Sequence, residues 1–370
     1  MTSLPQLTSS QASQASQAFP SPPDSAALAD VDPVDPLEGW NYAEPLTYIG
    51  TSDLMSACRC MRLFFYRAVC KLTRQGGDNI ALKFGEAIHR GLPSAIAAGD
   101  LKLAMEQFNS VWQERTPDDK RNKQNAVRIY EDIMDTVGPG ATNPQYKLLP
   151  PPEGTLKVAD SYSDWEIPFR LQLPGCWLPI RSRIDGWCTS TSNGQLWALE
   201  YKTASSIAEY SISNFDINVQ GMLYPLVLRL FGYKVEGTMF HHILVSKTQN
   251  NNLIKPVFVP DFQLESFMRW LTFKVLMIQH AYETKTFPQD WSGCYSYGMY
   301  GSPSFPCSFQ NACLVPDWTR MSMLFEKSDY RPFREIGEQV AEVKLRDASV
   351  AFEALPSTSG SGGVTLKGLL

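Results

Sequence analysis

Asp185, Glu200 and Lys202 are the residues of this chain whose types and spacing best suit chemistry. Asp185 sits in an alternating apolar run over 180–187, and fourteen residues separate it from Glu200. Ser192, Asn193 and Gly194 read as a hairpin turn. The stretch 196–202 reads as the returning strand, with Leu196, Ala198, Glu200 and Lys202 on one face and Trp197, Leu199 and Tyr201 on the other. An acid on one strand and an acid plus a lysine on its neighbour can converge on one point. Carboxylate oxygens are ligands for hard divalent cations such as Mg2+ or Mn2+. Such an ion acidifies a bound water and offsets charge on a phosphate, while an adjacent ammonium positions the nucleophile or stabilises the charged transition state. That is the chemistry of phosphodiester hydrolysis. The alternative is a pair of ordinary charged strands, because short acidic motifs are common, so the weight of the motif depends on the elements around it.

Those elements supply further polar groups. A helix is expected over 84–98, with Pro93 as a kink, and it carries Gly85, Glu86, Ala87, Ile88 and His89. Histidine is a frequent metal ligand, and the chain has only four. A helix over 214–231 carries Gln220 and Tyr224, four apart and therefore on one face. Other helices are expected over 52–71, with Ser52 as N-cap, and over 101–114, 117–137 and 261–284. Strands are expected over 165–173 and 238–246, and loops over 139–152 and 287–316. Helices around a central mixed β-sheet make the fold class α/β.

The chain has 370 residues, 44% of them hydrophobic, enough for a sizeable core. No apolar run reaches transmembrane length, and the first residues lack the pattern of a secretory signal. A soluble, cytoplasmic protein without a membrane partner is the expectation. The net charge of −5 resides in residues 1–40, which contain Asp24, Asp30, Asp32, Asp35 and Glu38 and no Lys or Arg. The rest is charge-balanced, so net charge argues neither for nor against a nucleic-acid partner. The SQASQASQA repeat and the Pro, Ser and Asp content make 1–40 a disordered acidic tail. The remaining divisions are an N-terminal helical region (41–150), a core (151–285), a cysteine-bearing loop (286–316) and a C-terminal segment with a flexible tail (317–370).

The order of these motifs resembles the RecB-type branch of the PD-(D/E)XK nuclease superfamily: GxxxH on a helix, Asp after an RID strand, ExK on the hairpin partner, then QxxxY on the next helix. Glu166, in WEIPF, also falls where that branch often has a glutamate. The resemblance spans roughly 50–315 and implies a restriction-endonuclease-like core. It implies that His89, Asp185, Glu200 and the backbone carbonyl of Tyr201 bind Mg2+ or Mn2+, that Lys202 is catalytic, and that Gln220 and Tyr224 assist. The implied activity is metal-dependent exonuclease cleavage of single-stranded DNA or duplex ends in replication, repair or recombination. A helicase, recombinase or single-strand-binding protein would be the natural partner. The alternatives are a spacer-trimming nuclease of CRISPR-adaptation type, or a nuclease-fold scaffold that binds DNA or a partner without cutting it.

Eight cysteines are present: Cys58, Cys60, Cys70, Cys176, Cys188, Cys294, Cys307 and Cys313. In an intracellular chain, metal or cluster ligation is a stronger reading than disulfides. Cys60 lies in CMRLFFYR, which resembles the CPRxFYYR helix of the same branch, with Met61 in place of proline. One early and three late cysteines (Cys60, Cys294, Cys307, Cys313) resemble the iron–sulfur staple of AddB-type, CRISPR-associated and mitochondrial exonuclease relatives. The resemblance implies a 4Fe-4S cluster on four thiolates. The spacing from Cys294 to Cys307 departs from the shorter spacing of several relatives, and 291–306 reads as an inserted loop. Zinc on the same thiolates, Cys58 in place of Cys60, and buried apolar thiols stay open. Aromatic candidates for base stacking are Phe64, Phe65, Tyr66, Trp112, Trp270, Tyr295, Tyr297 and Tyr300, the loop tyrosines being the better ones. Arg183, beside Asp185, would meet a phosphate or pair with an acid.

Overall fold

The structure is a computed structural model. It describes residues 45–74, 80–113, 118–153, 165–205, 207, 218–248, 251–291, 294–297, 303–314, 323–327 and 342–344. The expected tails at 1–40 and 356–363 lie outside these residues. In chain order the elements are β1 (Ile49–Gly50), α1 (Thr51–Arg59), α2 (Met61–Phe64), a π-helical turn (Phe65–Val69), β2 (Leu72–Arg74), α3 (Ile80–Pro93), a second π-helical turn (Ser94–Ala98), α4 (Leu101–Val111) and α5 (Lys123–Val137). Next come β3 (Tyr146–Leu149), β4 (Ile167–Gln172), β5 (Ile180–Ile184), β6 (Gly186–Ser190), β7 (Leu196–Ala204), α6 (Val219–Leu230), β8 (Val235–Leu244), β9 (Asn252–Phe258) and α7 (Asp261–Glu283). Last are β10 (Tyr295–Tyr297), β11 (Pro303–Pro306), α8 (Gln310–Leu314), β12 (Phe325–Lys327) and β13 (Glu342–Lys344).

The fold is mixed α/β. Its strands fall mainly into two mixed sheets, rather than the single central sheet expected. One has five strands in the order β3-β6-β7-β8-β9, and the other four in the order β1-β5-β4-β13. In the larger sheet β7 and β8 run parallel while the other neighbours are antiparallel. A parallel pair needs a crossover, and α6 supplies it.

Each face of the larger sheet carries helices. Alternation sends Trp197, Leu199 and Tyr201 of β7 into a core with Phe84 and Ile88 of α3, Phe108 of α4 and Tyr130 of α5. Tyr130 is fully buried, and its hydroxyl donates to the Ile88 carbonyl at 2.9 Å, which locks α5 onto α3. Phe84 meets Trp112 edge-on with centroids 5.2 Å apart. On the opposite face α6 lies on β8, where the buried Thr238 hydroxyl donates to the Gly221 carbonyl at 2.9 Å. Side chains cap the helices at their starts: Asp100 for α4, Asn122 for α5 and Asn218 for α6 each accept a backbone N–H of the first turn.

Several elements differ from expectation, among them the loop expected over 287–316, which contains β10, β11 and α8. The helix expected over 52–71 is broken at Cys60, which is extended (φ −168°, ψ 125°) between α1 and α2. Gly50, not Ser52, precedes its first residue. The loop expected over 139–152 contains β3, whose four residues pair antiparallel with β6. Its signal is short, only Tyr146 and Leu148 buried around Lys147. The strand β9 was not expected at all. It pairs with β8 along its length.

One close contact places α3 on the sheet. A Cβ on Gly85 would stand 2.7 Å from the Thr203 hydroxyl, so the helix can approach β7 only because position 85 has no side chain. A Gly85→Leu change is expected to lower stability by about 1–3 kcal/mol through overpacking. Thr203→Ala on top of it should recover part of the loss, read from urea denaturation midpoints. Purely additive effects of the two changes would contradict this contact.

Candidate active site

The hairpin register brings the two acids together. Gly186 pairs with Leu199 across β6 and β7, so continuing the pairing by one residue sets Asp185 opposite Glu200. Residues directly opposite on an antiparallel pair share a face. Asp185 itself is not in a strand. It is the single residue between β5 and β6, where the chain passes from one sheet to the other. The run expected as one strand over 180–187 is therefore divided at its acid. The physical reason is visible in its bonding: the Tyr201 N–H donates to Asp185 Oδ2 at 2.9 Å, in place of a strand neighbour's carbonyl. The N–H and C=O of one strand residue project to the same side, so the Tyr201 carbonyl is directed past the end of β6, on the side of Asp185. Its ring points the other way, into the core beside Tyr146 and His241.

Glu200 and Lys202 share the opposite face of β7. The Lys202 ammonium donates to Glu200 Oε1 and, at 2.7 Å, to Gln220 Oε1. Gln220 Nε2 then donates to the Tyr224 hydroxyl at 3.1 Å. The network fixes the amide orientation, since only the oxygen can accept from Lys202. Glu200 is 2% exposed, and its Oε2 has no hydrogen-bond partner. Lys202 is one-quarter exposed. From the far face, α3 brings His89 Nδ1 to 3.8 Å from Asp185 Oδ2. The His89 ring meets the Tyr201 ring edge-on at 5.9 Å between centroids. His89, Asp185, Glu200, Lys202, Gln220 and Tyr224 thus gather from α3, the β5–β6 crossing, β7 and α6.

One neighbour of the site, Arg183, takes an expected role, and another, His242, escaped the sequence reading. Arg183 turns inward and pairs with Glu166 at 3.1 Å, both buried. Of its two expected roles, pairing with an acid is the one observed. His242 is the register partner of Lys202 on β8 and is buried. The consecutive histidines at 241 and 242 within an expected strand were a usable signal, because one of them must share the face of its neighbour's charged residues.

Burial dominates the electrostatics. It raises Glu200 to about 7, with Asp185 adding to the rise and Lys202 opposing it. It raises Asp185 to about 6, with Lys202 opposing and Glu166 adding. It lowers His89 to about 4, so the imidazole is neutral near pH 7, the form that ligates metals.

The four cysteines of the expected cluster lie near enough to influence one another's charge. Burial, then the proximity of Cys294, Cys60 and Cys307, raises the Cys313 thiol to about 11. Cys60 Sγ accepts the Asp290 N–H at 3.3 Å. The Cys307 N–H donates to the Cys294 carbonyl at 2.9 Å. Of the early pair, Cys60 is the one whose charge acts on Cys313, whereas Cys58 feels Lys274 of α7. Cys70, Cys176 and Cys188 are buried, and none of the eight cysteines is in a disulfide. Phe64, Phe65, Tyr66 and Trp112 are core residues, which removes them as stacking platforms. The side chains of Tyr295 and Tyr297 and the whole of Tyr300 lie outside the described residues.

Among the described residues, no three His, Cys, Asp or Glu side chains are placed so as to close on one metal ion. The fit to a divalent cation therefore rests on the donor set, two carboxylates and a neutral imidazole, and on the unpartnered buried oxygen of Glu200. The fit to a cluster rests on four neighbouring thiols, with N–H donors directed at two of their sulfurs, those of Cys60 and Cys294. No helix among the described residues is long and apolar enough to cross a membrane. Compared with family models and with curated proteins, the sequence matches none.

The raised carboxyl of Glu200 has a consequence for stability. Between its ordinary value and about 7, the folded protein keeps a proton that the unfolded chain has released, so stability falls as pH rises. In chelator, Glu200→Gln should match the parent near pH 4 and exceed it by about 1 kcal/mol or more at pH 8. Saturating Mn2+ should reverse that order at pH 8. Denaturation midpoints at the two pH values, with and without metal, read both effects.

Proposed function

We propose that this chain is a divalent-metal-dependent deoxyribonuclease of the RecB-type PD-(D/E)XK class, with a restriction-endonuclease-like core. It acts as an exonuclease on single-stranded DNA or duplex ends in cytoplasmic replication, repair or recombination. The observation that carries this reading is the convergence of Asp185, Glu200 and Lys202 with His89 and the Gln220–Tyr224 pair. A 4Fe-4S cluster on Cys60, Cys294, Cys307 and Cys313 belongs to the same proposal, supported by the proximity of those thiols. A helicase, recombinase or single-strand-binding protein would supply the DNA end.

In this reading His89, Asp185, Glu200 and the Tyr201 carbonyl hold Mg2+ or Mn2+. The ion, when bound, acidifies water and neutralises phosphate charge. The rest is done by the chain. Asp185 is oriented by the Tyr201 N–H. Neutral His89 keeps a lone pair available. Gln220, backed by Tyr224, holds the Lys202 ammonium at the partly exposed side of the site. There Lys202 can orient the attacking water and offset the charge that grows on the phosphate oxygens. Burial of Glu200 lowers the local dielectric, so each of these interactions is stronger than it would be in water.

The test is cleavage of end-labelled single-stranded and duplex DNA by purified protein. Cleavage is expected with Mg2+ or Mn2+ and not with EDTA. Lys202→Ala should lower kcat about 100-fold or more, and Gln220→Ala about tenfold, with DNA binding retained. A Lys202→Ala protein that cuts as fast as the parent would sink the assignment. DNA binding indifferent to metal, without cleavage by the parent, would give the scaffold reading in its place.

A further inference from the structure

Residues 286–290 leave the C-terminal end of α7 and run along the start of α2. The Thr286 N–H returns to the Ala281 carbonyl at 3.0 Å, and buried Phe287 sits with its ring 4.7 Å from that of Phe65. The Arg62 N–H donates to the Pro288 carbonyl at 3.2 Å. The next two residues both address sulfur. The Gln289 side-chain amide donates to Cys294 Sγ at 3.5 Å, and the Asp290 N–H donates to Cys60 Sγ at 3.3 Å. Consecutive residues thus serve cysteines from the two ends of the nuclease region. The Cys294 thiol also donates to the Asp290 carbonyl at 3.5 Å. A ligated sulfur has no proton to give, so it would lose that bond and keep the one from Gln289.

A neutral thiol is a weak acceptor, whereas a sulfur carrying negative charge accepts strongly. Donors aimed at these sulfurs therefore stabilise the charged, ligated state more than the free thiol. They also draw electron density from sulfur, which favours the reduced, more negative form of a bound cluster. Arg62, whose charge acts on Cys313, works in the same direction.

We propose that Gln289 is a positioning residue for the four-cysteine centre: its amide orients the Cys294 sulfur and raises the reduction potential of an iron–sulfur cluster held there. This rests on the cluster reading given under the proposed function. The role is specific to the side chain of Gln289, since the Asp290 donor is backbone.

The experiment uses full-length protein reconstituted anaerobically with iron and sulfide. Iron content, absorption near about 400 nm and the midpoint potential in a dithionite titration are compared for the parent, Gln289→Leu and Gln289→Glu. Both variants are expected to load iron. Their potentials should fall below that of the parent, Gln289→Glu further because it brings a negative charge. Iron release to a chelator should quicken about tenfold, as for other partners of ligands. A Gln289→Leu protein with the parent's potential overturns the assignment. If that variant loads no iron, a Gln289→Glu protein with the parent's potential does so. A parent that takes up zinc, or no metal, overturns the cluster reading together with this inference, whereas an iron-loaded parent leaves the first standing whatever Gln289 does.

Discussion

A carboxylate almost wholly removed from water, with one oxygen left without a partner, is the constraint around which the candidate site is arranged. Glu200 stands on the central pair of the larger sheet, 2% exposed. Burial of a charge is costly unless it is paired, and when unpaired the group takes up a proton instead. The chain meets that cost with one ammonium, Lys202, on Oε1. The second acid, Asp185, makes it worse. The two acids thus share a single ammonium, which also donates to the neutral Gln220 amide.

The rest of the fold serves that arrangement. The hairpin fixes which residue faces Glu200, and the passage between sheets frees Asp185 from strand geometry. Close approach at Gly85 lets α3 carry His89 to the same end. Thr238 and Asn218 seat the start of α6, which sets Gln220 beside Lys202. Glu166 and Arg183 neutralise one another beneath Asp185, so the acid nearest the site does not go uncompensated. At the other end of the region, the break at Cys60 turns a continuous helix into two. The extended residue presents its sulfur to the Asp290 N–H.

Local sequence carried much of this. Period-two alternation gave the faces of β7 correctly, because side-chain direction in a strand is a local property. The turn at 192–194 was legible because Gly194 adopts a positive φ of 69°. Helices α3 to α7 were legible from their apolar periodicity. The short strand β3 was hidden because its four residues become a strand only by pairing with β6, more than thirty residues away. The break at Cys60 was hidden for a similar reason: nothing in CRCMRLFF disfavours a helix, and the extended residue is held by partners from the far end of the chain.

The sequence by itself determined the inventory: which acids, which lysine, which histidine and which cysteines exist, and that Asp185 and Glu200 stand on neighbouring strands able to converge. Only the tertiary structure decided what those groups experience. It broke the helix at Cys60, turned Arg183 inward to Glu166, set His242 beside Lys202 and buried Glu200 deeply enough to shift its proton affinity. The reason is physical. Spacing along the chain fixes direction, but burial and charge proximity depend on elements that are distant in sequence and meet only when the sheets close and the helices settle on them.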